Sequence, residues 1–210
     1  MSLDQRREQE KQERRDSILD AAEKVFSSKG FDKCTMDEIA RTAQLSRALL
    51  YVYFKDKAAI MSGIMLRSAA CLRDRFLRAA EPAQSGLEQI ASIGRAYYAF
   101  SLEEPYYFNV LTQASTLSPQ VDSDAQMEAL QVCGTEVMAL MIAALQRGVA
   151  DGSLSAERVA DPVQTAFFLR GALHGIIMET RQPENRQLDM PEADTLITYS
   201  IDMFGHAMRA

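Results

Sequence analysis

The chain has 210 residues, nearly half of them apolar and a quarter charged, enough for one large or two small domains around a substantial core, and too apolar for wholesale disorder. Its apolar runs are short and broken, residues 1–15 lack an apolar signal core, and three scattered cysteines with two histidines offer no disulfide or zinc spacing; a membrane partner, export, a metal site and a cofactor are therefore not expected, and a cytoplasmic setting is. The net charge of −6 argues against a polyanionic partner only until it is divided: residues 1–60 carry 12 Lys or Arg against 11 Asp or Glu, and the acidity lies in the remainder, whereas phosphate contacts depend on local charge.

In chain order the pattern is helical throughout, with no strand alternation, and predicts an all-α fold of nine helices. Arg14 to Lys29 places Ile18, Ala22, Val25 and Phe26 on one stripe and stops at Gly30. Thr35-Met36-Asp37-Glu38 is a capping box that opens a short helix to about Ala43. Ser46 caps the next, to Phe54, and Asp56 caps a long one ending near Ala80, before Pro82. Ser85 to Glu88 is a second box, opening a helix to about Leu102; Pro105 begins one to about Ser115, and Ser123 one to Gly152. Asp161-Pro162 starts a helix to about Arg181 with proline at its first position, and Pro191 starts the last, to about Met208. The polar segment 182–190 is the expected mobile connection.

Three short helices in the N-terminal part, the last two joined by a tight turn, fit a helix-turn-helix plan. Ile39, Ala40, Leu45, Leu50 and Phe54 face inward, which leaves Arg47, Ala48, Leu49 and Tyr51 on or near the outer side of the second helix. A small, aromatic and basic surface of this kind suits a major groove. Arg47 can donate to a guanine edge or a phosphate, Tyr51 and Tyr53 to phosphates, and Lys57 adds a charge nearby. On spacing alone a plain amphipathic hairpin remains an equal reading. The arm from Gln5 to Arg15 reads either as a solvated helix extension or as a groove contact, since its charges nearly cancel.

The run Ile18-Leu19-Asp20-Ala21-Ala22, Phe26, Gly30-Phe31, Thr35 to Ala40, Leu45-Ser46-Arg47, Leu50-Tyr51 and Phe54-Lys55-Asp56-Lys57 resembles the head of the TetR (tetracycline-repressor-like) family over residues 12–72. The resemblance implies a DNA-binding domain at 12–72 with its motif at 35–54, and a ligand-binding and dimerisation domain at 73–210. It further implies that Thr35 and Lys57 meet phosphate, and that Arg47, Ala48, Leu49, Tyr51 and Tyr53 meet bases or backbone. Two positions depart from the family's habit: Gln44 stands where the turn often has glycine, and Val52 where a second aromatic or histidine is common.

The remainder carries no motif. Gly171 and Gly175 share one helix face and would admit a close helix, and the last helix has a stripe that includes Ile197, Ile201 and Phe204; these are the candidate homodimer residues, the alternative being that the stripe packs within one chain. The resemblance implies a four-helix bundle made with their copies. Tyr97, Phe100, Tyr107, Met138, Met141, Arg170 and His174 are the candidate pocket for a small-molecule effector, and equally the makings of an ordinary core. The expected function is a sequence-specific regulator that binds double-stranded operator DNA and is released by a ligand. An activator or ligand-independent regulator of the same fold is the first alternative, and an all-α enzyme or carrier the second.

Overall fold

A computed structural model of the protein describes residues 2–112, 124–182 and 191–210. Among them are nine helices: α1 (Leu3–Lys29), α2 (Met36–Thr42), α3 (Arg47–Tyr53), α4 (Lys57–Ala80), α5 (Gly86–Glu103), α6 (Pro105–Thr112), α7 (Asp124–Ala150), α8 (Pro162–Thr180) and α9 (Ala193–Met208). The expected end of α6 near Ser115, the Ser123 cap, and residues 183–190 of the expected loop lie outside the described residues. The chain forms two compact units, one of Met1–Ser68 and Asn109–Leu130, the other of Ala69–Phe108 and Gln131–Ala210.

In the first unit α1 packs on α2 and α2 on α3. The core is Ile18, Leu19, Ala22, Val25, Phe26, Ile39, Ala40, Leu50, Phe54, Ile60 and Ile64; it contains the predicted inward residues except Leu45, which is half-buried. Gly63 lets α4 approach α1: a Cβ there would stand 2.9 Å from a Leu19 methyl. Arg67 then ties α4 to α1 by donating to the carboxylates of Asp16, Asp20 and Glu23 and to the Asp16 carbonyl. One guanidinium thereby gathers three carboxylates spaced along one face of α1.

α1 starts eleven residues before the predicted Arg14, because Ser2 and Gln5 form a capping box ahead of the charged arm. No apolar period marks that stretch. It is held by the box and by side-chain bonds one turn apart, Gln9 to Glu13 and Gln12 to Asp16.

In the second unit α9 packs on α8 and α5, with Ile90, Ile93, Phe100, Leu145, Leu154, Leu169, Leu173, Ile177, Ile197 and Ile201 buried. The start of α5 lies against the end of α7. Gly86 donates its N–H to Asp151 Oδ2 (2.8 Å) and Leu87 to Ser153 Oγ (3.2 Å), so part of the α5 N-terminus is capped from elsewhere in the chain. Residues Gln131–Ala150 of α7 are long and apolar enough by composition to cross a membrane, a stretch the sequence reading does not single out; Met138, Met141, Ala144 and Leu145 in it are buried in the unit's own core.

Candidate nucleic-acid interface

α2 begins where Thr35 caps it: Thr35 Oγ1 accepts from Glu38 N (3.3 Å), and Glu38 Oε2 accepts from Thr35 N (3.0 Å). Caps of this kind contribute about 0.5–2 kcal/mol. Lys29 also holds the Glu38 carboxylate, and that contact, with the Thr35 amide, keeps its pKa below the usual carboxylate range. The Thr35 side chain is exposed and already engaged in the cap.

α2 ends in a Schellman turn. Leu45 N–H bonds Ala40 O (2.8 Å) and Gln44 N–H bonds Arg41 O (3.1 Å), which puts residue 44 in the left-handed region that glycine usually fills. Gln44 adopts it at φ 57°, so the departure noted in the sequence is absorbed as local strain without a shifted turn. Ser46 Oγ then caps α3 by accepting from Leu49 N (3.2 Å).

On α3, Leu50 is buried, while Arg47, Ala48, Leu49, Tyr51 and Val52 are exposed and Tyr53 is half-buried. The expected recognition surface is therefore one continuous outward face, and Val52, 76% exposed, makes it more apolar. Arg47 lies between two partners. Its Nη1 and Nε are each 3.3 Å from the Asp37 carboxylate, and its guanidinium stands 5.6 Å from the centre of the Tyr51 ring. Hydrogen bonding to Tyr51 and the charge of Asp37 raise its pKa, so it is a cation at every relevant pH.

Lys57 has a role the sequence does not suggest. Its ammonium donates to the carbonyls of Phe31 (2.9 Å), Asp32 (3.3 Å) and Cys34 (2.9 Å) and lies 4.8 Å from the Phe31 ring centre. Its three N–H donors thus meet three carbonyls of the connection between α1 and α2, where the resemblance implies a contact to phosphate. Beside it, burial pushes the Cys34 thiol pKa up, against the opposing charge of Lys57. Arg15, on α1, closes the other end of α3: it donates to the Tyr53 carbonyl (3.3 Å) and covers the Phe54 ring at 4.4 Å. Sequence reasoning misses Asp37, Arg67 and this use of Arg15, because their partners stand 10 to 51 residues away.

The other predicted residues lie in the second unit. Tyr97, Phe100 and His174 come together around Phe108, with ring centres 5.6, 6.4 and 5.9 Å from it, and the Tyr97 hydroxyl meets His174 Nδ1 at 2.8 Å. Burial pushes the Tyr97 pKa up to about 12. Met138 and Met141 are buried, Tyr107 is half-buried against Tyr106, and Arg170 is exposed over Phe167. Burial, aided by the Arg170 charge, lowers the His174 pKa, so the fold prefers the neutral ring while the unfolded chain protonates near about 6.5. The resulting stability is complete above that value and is lost as pH falls through the lower, folded pKa. Melting temperatures between pH 5 and 8 are expected to fall on the acid side for the wild type and to flatten there in His174→Gln; parallel curves would contradict this.

Gly171 and Gly175 are exposed with open space beyond them. Ile197 and Ile201 are instead buried within their own chain, Ile201 lying 3.5 Å from a Cβ placed on Gly94, because the stripe of α9 faces α5 and α8. Phe204 is half-buried, 6.0 Å from Phe168. The apolar side chains left exposed on these helices are Val163, Phe167, Phe168, Met178, Tyr199 and Met203.

A three-helix head with a capped α2, a tight turn and an outward-facing α3 defines a helix-turn-helix DNA-binding regulator of transcription. Residues 18–64 match the family described as bacterial regulatory proteins, tetR family, and residues 90–204 match the tetracyclin repressor-like C-terminal domain; the chain belongs to the TetR family. It is 28% identical over 177 residues to the HTH-type transcriptional repressor BepR of Brucella suis biovar 1 (strain 1330), covering 78% of this chain and 82% of that protein. Its fold matches a TetR/AcrR-family transcriptional regulator of Thermobifida fusca YX-ER1 with a TM-score of 0.75 at 22% identity, over 94% of this chain and 100% of that one. It also matches the transcriptional regulator FadR of Bacillus subtilis, solved in complex with stearoyl-CoA, with a TM-score of 0.68 at 14% identity, over 92% and 98%.

Proposed function

We propose that the protein is a homodimeric repressor in the cytoplasm that binds operator DNA through α3, is released by a small-molecule effector held in the second unit, and carries out no catalysis. The observation that carries the DNA reading is the single outward face of Arg47, Ala48, Leu49, Tyr51 and Val52 on a helix whose other side is fixed by Leu50. Repression follows the name of BepR. Release by ligand is supported by the aromatic cluster around Phe108 and by the stearoyl-CoA bound to FadR. Dimerisation is supported by the exposed Gly171 and Gly175 and the apolar side chains beside them on α8 and α9. With Ile197 and Ile201 buried in their own chain, the proposed interface uses the exposed Tyr199 and Met203 on α9 instead. An effector that shifts operator affinity about 5- to 150-fold would supply coupling of the usual size.

The test is a gel-shift titration on a duplex enriched by the wild-type chain from a randomised pool. Arg47→Ala and Tyr51→Ala are each expected to weaken binding roughly tenfold or more. Asp37→Asn removes the carboxylate that competes for Arg47 and is expected to strengthen binding roughly two- to fivefold, the worth of an exposed ion pair. Unchanged affinity in both alanine variants would refute α3 as the reading helix.

A further inference from the structure

The outward face of α3 is polar on one flank and apolar along its outermost ridge. At about 100° per residue, Ala48 and Val52 lie about 160° from the buried Leu50, on either side of the outermost line of the helix. Leu49 stands about 100° from Leu50 on the side of Val52, while Tyr51 and Arg47 stand about 100° and about 60° from it on the side of Ala48. The polar groups are therefore gathered on one flank, where the Arg47 guanidinium lies between the Asp37 carboxylate and the Tyr51 ring. Ala48, Leu49 and Val52 are all exposed. Together they make a continuous patch whose side chains carry no hydrogen-bonding atom.

Val52 contributes nothing to its own fold. It is 76% exposed, and at an open helix position a β-branched residue is a poorer helix former than alanine. Its apolar surface is used only if something apolar covers it. In the major groove of DNA, thymine alone offers such a group, its C5-methyl; the other base edges present donors and acceptors. An apolar patch laid on those polar edges strips them of water without replacing the bond. Laid on a methyl group, it takes apolar surface out of water on both sides. From residue 48 to residue 52 the patch is about 6 Å long, close to two base-pair steps of about 3.4 Å.

We infer that Val52, with Ala48 and Leu49 beside it, determines sequence specificity by reading the C5-methyl groups of thymine at one or two neighbouring positions of each half-site. This rests on the DNA reading proposed above and names the base feature that the outer ridge of α3 meets. Arg47 and Tyr51, on the polar flank, are left to meet base edges or phosphates to one side of those thymines.

The full chain is titrated against the duplex enriched from the randomised pool and against copies in which each thymine in turn is replaced by deoxyuridine, which removes the methyl and leaves base pairing intact. The protein variants are Val52→Ala and Leu49→Ala, each checked by thermal melting; as surface changes they are expected to stay within about 2 °C of the wild type. Loss of the methyl at one or two positions per half-site is expected to weaken wild-type binding roughly three- to fivefold each, and Val52→Ala to weaken binding to the thymine duplex by a similar factor. At one of those positions the two changes are not additive: Val52→Ala binds the thymine and deoxyuridine duplexes alike. Deoxyuridine without effect at every position overturns the inference while leaving α3 as the reader. So does an enriched site with no thymine in common among its half-sites. Methyl effects that persist at full size in both protein variants overturn it as well, since another part of the chain would then meet the methyl groups. A wild-type chain that enriches no site removes the DNA reading and this readout together.

Discussion

Replacing Gly86 by alanine is expected to lower the melting temperature of the protein by roughly 6–12 °C, the equivalent of about 3 kcal/mol for a chain of this size. The start of α5 and the end of α7 touch backbone to backbone at this residue. A Cβ on Gly86 would stand 2.0 Å from Gly148 N, 2.3 Å from Gly148 Cα and 2.4 Å from the Ala144 carbonyl oxygen. All three are main-chain atoms, so no side-chain rotation relieves the clash and the two helices must part. Parting them also stretches the bonds from Gly86 N to Asp151 and from Leu87 N to Ser153. Hydrogen bonds from the Ser153 side chain, the Gly86 amide and the Ser153 amide keep the Asp151 pKa below the ordinary carboxylate value. The control is Gly134→Ala, in the same α7 with nothing within 4 Å of the added carbon; it is expected to be neutral or to stabilise by up to about 1 kcal/mol, through helix propensity alone. Thermal melts followed by circular dichroism decide the matter, and a drop of less than about 2 °C in Gly86→Ala would mean that the contact relaxes.

Lys57→Met is expected to destabilise the first unit by about 1.5–3 kcal/mol, the range for hydrogen bonds to a charged group. The methionine keeps most of the aliphatic stem but strips the donors from the carbonyls of Phe31, Asp32 and Cys34. These carbonyls belong to the connection that sets where Thr35 begins α2, so DNA affinity should fall through misplacement of the head. The number of phosphates neutralised should not change. Urea unfolding and the salt dependence of binding separate two roles: lower stability with the wild-type slope is the expected result. Full stability with a slope reduced by about one would restore Lys57 to the phosphate contact that the family resemblance implies.

These two residues also show which parts of the molecule are legible in the sequence. Structure written within one or two helical turns is readable: the Thr35–Glu38 box, the Ser46 cap and the Asp161-Pro162 start all stand where the pattern puts them. So does the inward set of Ile18, Ile39, Leu50 and Phe54. Partnerships between distant residues are not readable, because no periodicity encodes them. Lys57 finds its carbonyls 23 to 26 residues upstream, and Arg67 finds its carboxylates 44 to 51 residues upstream. The faces of α8 and α9 show a third limit. Each helix is apolar on more than one side, as Phe167 and Phe168 stand next to Leu169, and Tyr199 and Met203 next to Ser200 and Ile201. A stripe count cannot say which side turns to its own chain, which is why Ile197 and Ile201 look available until the fold buries them.

The strained turn at Gln44 has a dynamic meaning. A left-handed residue with a side chain costs about 1–2 kcal/mol relative to its right-handed form, and that cost is discharged whenever the turn opens. Opening at 44 breaks the bonds from the Gln44 and Leu45 amides to Arg41 O and Ala40 O, while Ile39 and Leu50 stay buried in the common core. The head is therefore expected to open first at this turn, directly before its reading helix. In amide hydrogen exchange this sets an order, with Gln44 and Leu45 exchanging through local opening well ahead of the interior amides of α1. On this expectation the recognition helix adjusts to a groove at the turn before it, and the core behind it keeps its protection.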